Sequence, residues 1–84
     1  METPIIDQML KSLEWQTKNS SFTTQRNIDL VAELKWMKEQ LILSGVSKRR
    51  ELLIADMIKM IKSYTDEEVN LVCKQRNEMY GSNL

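Results

Sequence analysis

Apolar residues recur along this chain at intervals of three and four and hardly ever alternate with polar ones, the pattern of amphipathic helices rather than strands. Ile6, Met9, Leu10 and Leu13 form one stripe and predict a first helix over 4–18. Thr3 stands where an N-cap belongs, Pro4 falls at the first helical position and Asp7 sits near the positive end of the helix dipole. Asn19-Ser20-Ser21 breaks the pattern with small polar residues that prefer turns. A second helix is predicted over 24–43, starting at Thr23 or Thr24, with Phe22 as the apolar staple that sets its entry angle. Leu30, Leu34, Met37 and Leu41 are spaced 4, 3 and 4 apart, the rhythm of a coiled-coil seam. Fewer than three heptads are present, which excludes a long coiled coil. Ser44-Gly45 ends the helix, with glycine where a left-handed residue is wanted.

Ser47 is a good N-cap for a third helix over 47–64, the most apolar segment of the chain. Leu53, Met57, Met60 and Tyr64 repeat at 4, 3 and 4, and Ile54, Ile58 and Ile61 form a neighbouring row. A helix apolar over so much of its circumference needs cover on more than one side, so either it is the central helix of the bundle or part of it meets another chain. Thr65-Asp66-Glu67-Glu68 is a capping-box sequence and opens a fourth helix over 66–80. Val69, Val72 and Cys73 line one face of it, Met79-Tyr80 extend that face, Gly81 ends it and a short tail follows. With short connections, consecutive helices fold back on one another. The expected fold is all-α, a small antiparallel helical bundle of three to four helices, with 1–84 a single helical domain.

Composition narrows the function more than it narrows the fold. A domain of 84 residues has a small core, and such domains often gain stability by association. The chain has no His and one Cys, so imidazole catalysis, an intrachain disulfide and a Cys/His zinc site are all excluded. No glycine-rich phosphate loop and no EF-hand loop are present. No enzymatic activity, no cofactor and no metal site are expected. The N-terminus lacks a basic segment followed by an apolar one, and no apolar run approaches the roughly 20 residues of a membrane span. A cytoplasmic protein with no membrane partner is expected. Twelve Lys and Arg balance twelve Asp and Glu, whereas a dedicated non-specific nucleic-acid binder is usually strongly basic.

Lys48-Arg49-Arg50 stands out against that balance. The three cations occupy the first turn of the third helix, where the dipole disfavours them. They are candidate contacts for an anion or nucleic acid, or for an acidic protein surface. A plainer role is to sit near the last carbonyls of the preceding helix. Gly45-Val46-Ser47 between two helices resembles the turn of a helix-turn-helix DNA-binding unit. Over 40–58, Leu41 and Ile54 fit that unit's small or apolar positions, while Glu51 occupies its middle apolar one. The resemblance implies a DNA-binding transcriptional regulator that uses the basic turn. Met9, Met37, Met57, Met60 and Met79 all fall on apolar faces, where flexible thioethers suit a surface that repacks around a partner. Cys73, among Val69, Val72 and Arg76, is expected to be a buried apolar residue rather than a reactive thiol.

These features point to a small non-enzymatic protein-interaction module, an adaptor, inhibitor or regulator of a larger assembly. Its partner is another protein, expected to be a second copy in a homodimer; nucleic acid through the basic turn is the alternative. With the third helix assigned to the protein's own core, the seam of the second helix is left for the partner. The expected contact residues are Leu30, Leu34, Trp36, Met37 and Leu41, with Trp36 as anchor because a buried indole covers the most apolar area.

Overall fold

The computed structural model describes residues 2–19 and 25–81. Four helices, α1 (Pro4–Asn19), α2 (Gln25–Ser44), α3 (Lys48–Lys62) and α4 (Asp66–Arg76), make up the all-α bundle, and α4 continues into a π-helical turn at Asn77–Gly81. No strand occurs among the described residues. The Phe22 staple, the helix start at Thr23 or Thr24 and the tail over 82–84 lie outside the described residues, as does the side chain of Tyr80.

The helix ends are built by the chemistry their residues carry. Gly45 takes φ +107° after α2, a conformation that side chains with a Cβ rarely adopt, and its N–H donates to the Leu41 carbonyl at 2.9 Å. The Ser47 hydroxyl accepts from the Arg50 N–H at 3.2 Å and caps α3. The capping box of α4 is complete: the Thr65 hydroxyl accepts from the Glu68 N–H at 3.2 Å, and the Glu68 carboxylate accepts from the Thr65 N–H at 3.0 Å. Those bonds hold the Glu68 carboxyl below its ordinary value.

The cap of α1 is not the one expected. The Thr3 hydroxyl donates to the Asp7 carboxylate at 3.1 Å instead of accepting from the backbone. A carboxylate from α3 takes its place: Glu51, 3% exposed, accepts the Ile5 and Ile6 N–H groups through Oε2 at 2.9 and 3.1 Å. A charged acceptor at the positive end of the α1 dipole is well placed electrostatically. It also welds the start of α1 to the first turn of α3. Glu51→Ala is therefore expected to cost about 2 kcal/mol, with Glu51→Gln, which keeps an acceptor, costing less. Urea denaturation of the two variants checks this; equal losses would mean that the side chain acts by volume alone.

The long second helix, not α3, is the centre of the bundle. The helix α2 packs against α1, α3 and α4, whereas α3 packs mainly against α1 and α2 among the described residues. Lys38–Asp7 at 2.6 Å and Lys35–Glu14 at 3.5 Å run antiparallel between α1 and α2, and the Lys38 ammonium holds the Asp7 carboxyl below its ordinary value. Cross-links from α4 to α2 rise together in number: Asp66 to Arg26, Cys73 to the Asp29 carbonyl, Arg76 to Glu33. The fourth helix thus lies alongside α2 in the same direction. Ile6, Leu10 and Leu13 of α1, Leu30, Leu34, Met37 and Leu41 of α2, Ile58 and Ile61 of α3 and Val69 and Cys73 of α4 form one continuous core.

Candidate interaction groove

The site follows from a mismatch of lengths. The second helix has 20 residues and α4 has 11, so α4 runs beside only the first part of α2. Its last residue, Arg76, reaches Trp36, with the guanidinium 5.6 Å from the ring centroid. Beyond that level α4 does not cover the C-terminal half of α2 or the facing half of α3. They enclose an apolar groove of about 330 Å³, with Trp36, Met37 and Leu41 on one wall and Leu53, Ile54 and Met57 on the other. Gln40, Ser44 and Arg50 supply its polar atoms, and no carboxylate lines it.

The third helix carries two apolar faces. Glu51, Ala55, Ile58 and Ile61 turn inward and are buried. Leu53, Met57 and Met60 lie roughly 140° away around the helix at 3.6 residues per turn. They are 57%, 46% and 54% exposed. Such a row of large apolar side chains, continuous with a groove, is the kind of surface that marks a binding site.

This reverses the assignment of the two seams. Leu30 and Leu34 lie fully in the chain's own core, and Met37 and Leu41 are buried although they line the groove. Side chains already enclosed by α1, α3 and α4 have little area left to give to a partner. Of the five expected contact residues, only Trp36 is half-buried and part of the groove wall, and Arg76 already covers one face of its ring. The available seam is Leu53–Met57–Met60 on α3, the one expected to close the core. Its spacing was plain in the sequence; which way it faced was not.

The basic turn divides. The Arg50 guanidinium swings back and donates to the Ser44 and Gly45 carbonyls at 2.7 and 3.2 Å, closing the end of α2. Lys48 and Arg49 are exposed and form no ion pair among the described residues. The middle position of the helix-turn-helix resemblance, Glu51, points inward but is occupied in capping α1. Arg26 does for α3 what Arg50 does for α2: it donates to the Tyr64 carbonyl at 2.5 Å and to the Lys62 carbonyl, and pairs with Asp66 at 3.2 Å. No local sequence signal marks Arg26, because its partners lie 36 to 40 residues away.

Cys73 is buried, and desolvation, reinforced by the nearby Glu33 carboxylate, pushes its thiol up to about 11. It is a neutral thiol at pH 7 and a poor nucleophile. Among the described residues no three Cys, Asp or Glu side chains are placed to hold a metal ion, and no helix is long and apolar enough to cross a membrane. Comparison with known proteins finds no family model, no curated protein and no solved structure that matches the chain.

Proposed function

We propose that this chain is a small non-enzymatic protein-interaction module, an adaptor, inhibitor or regulator within a larger assembly, that binds through the outer face of α3 and the groove beside it. The observation that carries the proposal is the exposed row Leu53, Met57 and Met60 running into an apolar groove that the short α4 leaves uncovered. Large exposed apolar side chains cost solubility, and a face of this kind suits helix-in-groove recognition. Methionines on it adapt to the shape of what they meet. The DNA-binding alternative has less support, since Arg50 is tied to the α2 carbonyls and, of the basic turn, Lys48 and Arg49 alone lack an ion pair or hydrogen-bond partner among the described residues.

The test is photo-crosslinking in cells that express the protein, with a benzophenone amino acid at position 57 or, as control, at Gln16 on the exposed side of α1. Adducts to a defined protein, whether the same chain or another, are expected from position 57 and not from position 16. Absence of any protein adduct at 57, or equal labelling at both, overturns the reading.

A further inference from the structure

The fourth helix is held differently from the other three. Helices α1, α2 and α3 pack pairwise against one another, and the Glu51 carboxylate ties α3 to the start of α1, so these three close into a body of their own. Helix α4 packs mainly against α2. It gives the core only the small side chains of Val69 and Cys73, with Val72 half-buried beside them. Leu71, its largest apolar side chain, is 55% exposed. Polar contacts fasten the two ends of the helix. At the near end Arg26 of α2 grips the corner between α3 and α4, donating to the Lys62 and Tyr64 carbonyls and pairing with Asp66. At the far end Arg76 pairs with Glu33 of α2. The Thr65–Glu68 capping box lies within α4 itself, so the helix keeps its start when it leaves α2. Segments with few buried apolar contacts are the first to open in a folded chain.

The seat that α4 occupies has a chemistry of its own. Glu33 places a carboxylate, 4% exposed, on the α2 face beneath α4, and Trp36 follows one turn further along. Arg76 fills the space between them, with Nε 2.5 Å from the carboxylate and the guanidinium 5.6 Å from the ring centroid. A carboxylate beside an indole face is a seat for a guanidinium. Trp36 is also part of the groove wall, so the seat and the groove are neighbours along α2. We propose that α4 is a lid: it lifts from α2 as a unit while α1, α2 and α3 stay folded, and Arg76 keeps the place of an arginine from a partner helix that takes the seat when the lid is open. The partner helix repeats the pattern of α4, in which Val69, Cys73 and Arg76 set two small apolar residues four apart and an arginine three further on. Glu33 imposes the arginine, because an apolar helix over it would bury the carboxylate without a cation. With the lid open, the groove lengthens along α2 from Trp36 to Glu33. The lid goes beyond the reading of the α3 face and does not depend on it.

Cys73 reports the lid. It is the one cysteine of the chain, and its thiol is buried against the Asp29 carbonyl of α2 until α4 lifts. The full chain is treated with N-ethylmaleimide and the adduct is followed by mass spectrometry, at reagent concentrations where the rate is proportional to reagent. Val69→Ala weakens the lid and is expected to speed labelling about tenfold. Arg26→Gln, which loosens the corner between α3 and α4, should speed it as well. Ile6→Val weakens the three-helix body instead, so it should lower the urea midpoint and leave labelling within about twofold of the wild type. Circular dichroism confirms that each variant is folded. Labelling that rises with Ile6→Val as much as its loss of overall stability predicts would mean that Cys73 is reached only by complete unfolding, and overturns the lid. The seat is tested on the same chain with a synthetic peptide of residues 65–81 carrying Cys73→Ala, added at about 1 mM to compete with the tethered helix. The peptide should speed labelling several-fold, because it holds the seat while the chain's own α4 is out, and the same peptide with Arg76→Gln should not. A peptide without effect, or a glutamine peptide that works equally well, overturns the arginine seat. Labelling is read on the isolated chain, so the lid stands or falls apart from the adducts at position 57.

Discussion

Replacing Arg76 with methionine is expected to lower folding stability by about 3–5 kcal/mol, as breaking a buried ion pair generally does. The Arg76 Nε lies 2.5 Å from the Glu33 carboxylate, and the two side chains are only 14% and 4% exposed. Glu33 belongs to the core-facing side of α2, so removing its partner strands a carboxylate where water does not reach it. The substitution also removes the cation from the face of Trp36. A domain of this size has a total stability of only about 5–10 kcal/mol, so the variant should melt tens of degrees lower or fail to fold at body temperature. The double replacement Glu33→Leu with Arg76→Met should recover most of the loss, because it removes both buried charges and leaves apolar volume behind. Urea denaturation of the single and double variants distinguishes the cases. If Arg76→Met costs less than about 1 kcal/mol, the pair is solvated and its geometry is not what anchors α4 to α2.

That pair shows why the helices were legible and their arrangement was not. Helix positions depend on local signals. Gly45 takes positive φ, Ser47 caps α3, and the Thr65–Glu68 box forms, each as the residues themselves dictate. The inward direction of α3 depends on partners far away in the chain. Counting apolar residues favours Leu53, Met57 and Met60 over a face that contains Glu51 and the small Ala55. The carboxylate nevertheless belongs inside, because the two N–H groups at the start of α1 need an acceptor. Glu33 misleads in the same way on α2, where a charge sits in the buried seam because Arg76 meets it from α4. Polar residues satisfied over 43 to 46 residues of chain leave no periodic trace, and as a result Ile58 and Ile61 are buried as expected while the Leu53–Met57–Met60 seam faces out. The groove was hidden for a related reason: it exists because α4 stops at Trp36, a relation between the lengths and offsets of two helices rather than a motif in either.

The buried seam of α2 and the exposed seam of α3 yield the sharpest contrast in the molecule. Leu34→Ala on α2 and Met57→Ala on α3 remove side chains of similar size from seams with the same spacing. Leu34 has no exposed surface and belongs to the core to which all four helices contribute. Its truncation is expected to cost about 3 kcal/mol, the transfer term plus the cavity left behind. Met57 is nearly half exposed, and alanine is a better helix former, so its truncation should change monomer stability by less than about 0.5 kcal/mol. The comparison needs protein dilute enough to be monomeric, since any self-association would add its own linkage to the melting temperature. If the partner of the α3 face is a second copy, the two variants should separate in the opposite sense at higher concentration. Leu34→Ala then loses stability but keeps the α3 surface, while Met57→Ala keeps its fold and loses association. Thermal melts over about a hundredfold range of concentration read both effects in one series. A large loss for Met57→Ala in dilute solution, with little for Leu34→Ala, would restore α3's outer seam to the core and return α2 to the surface.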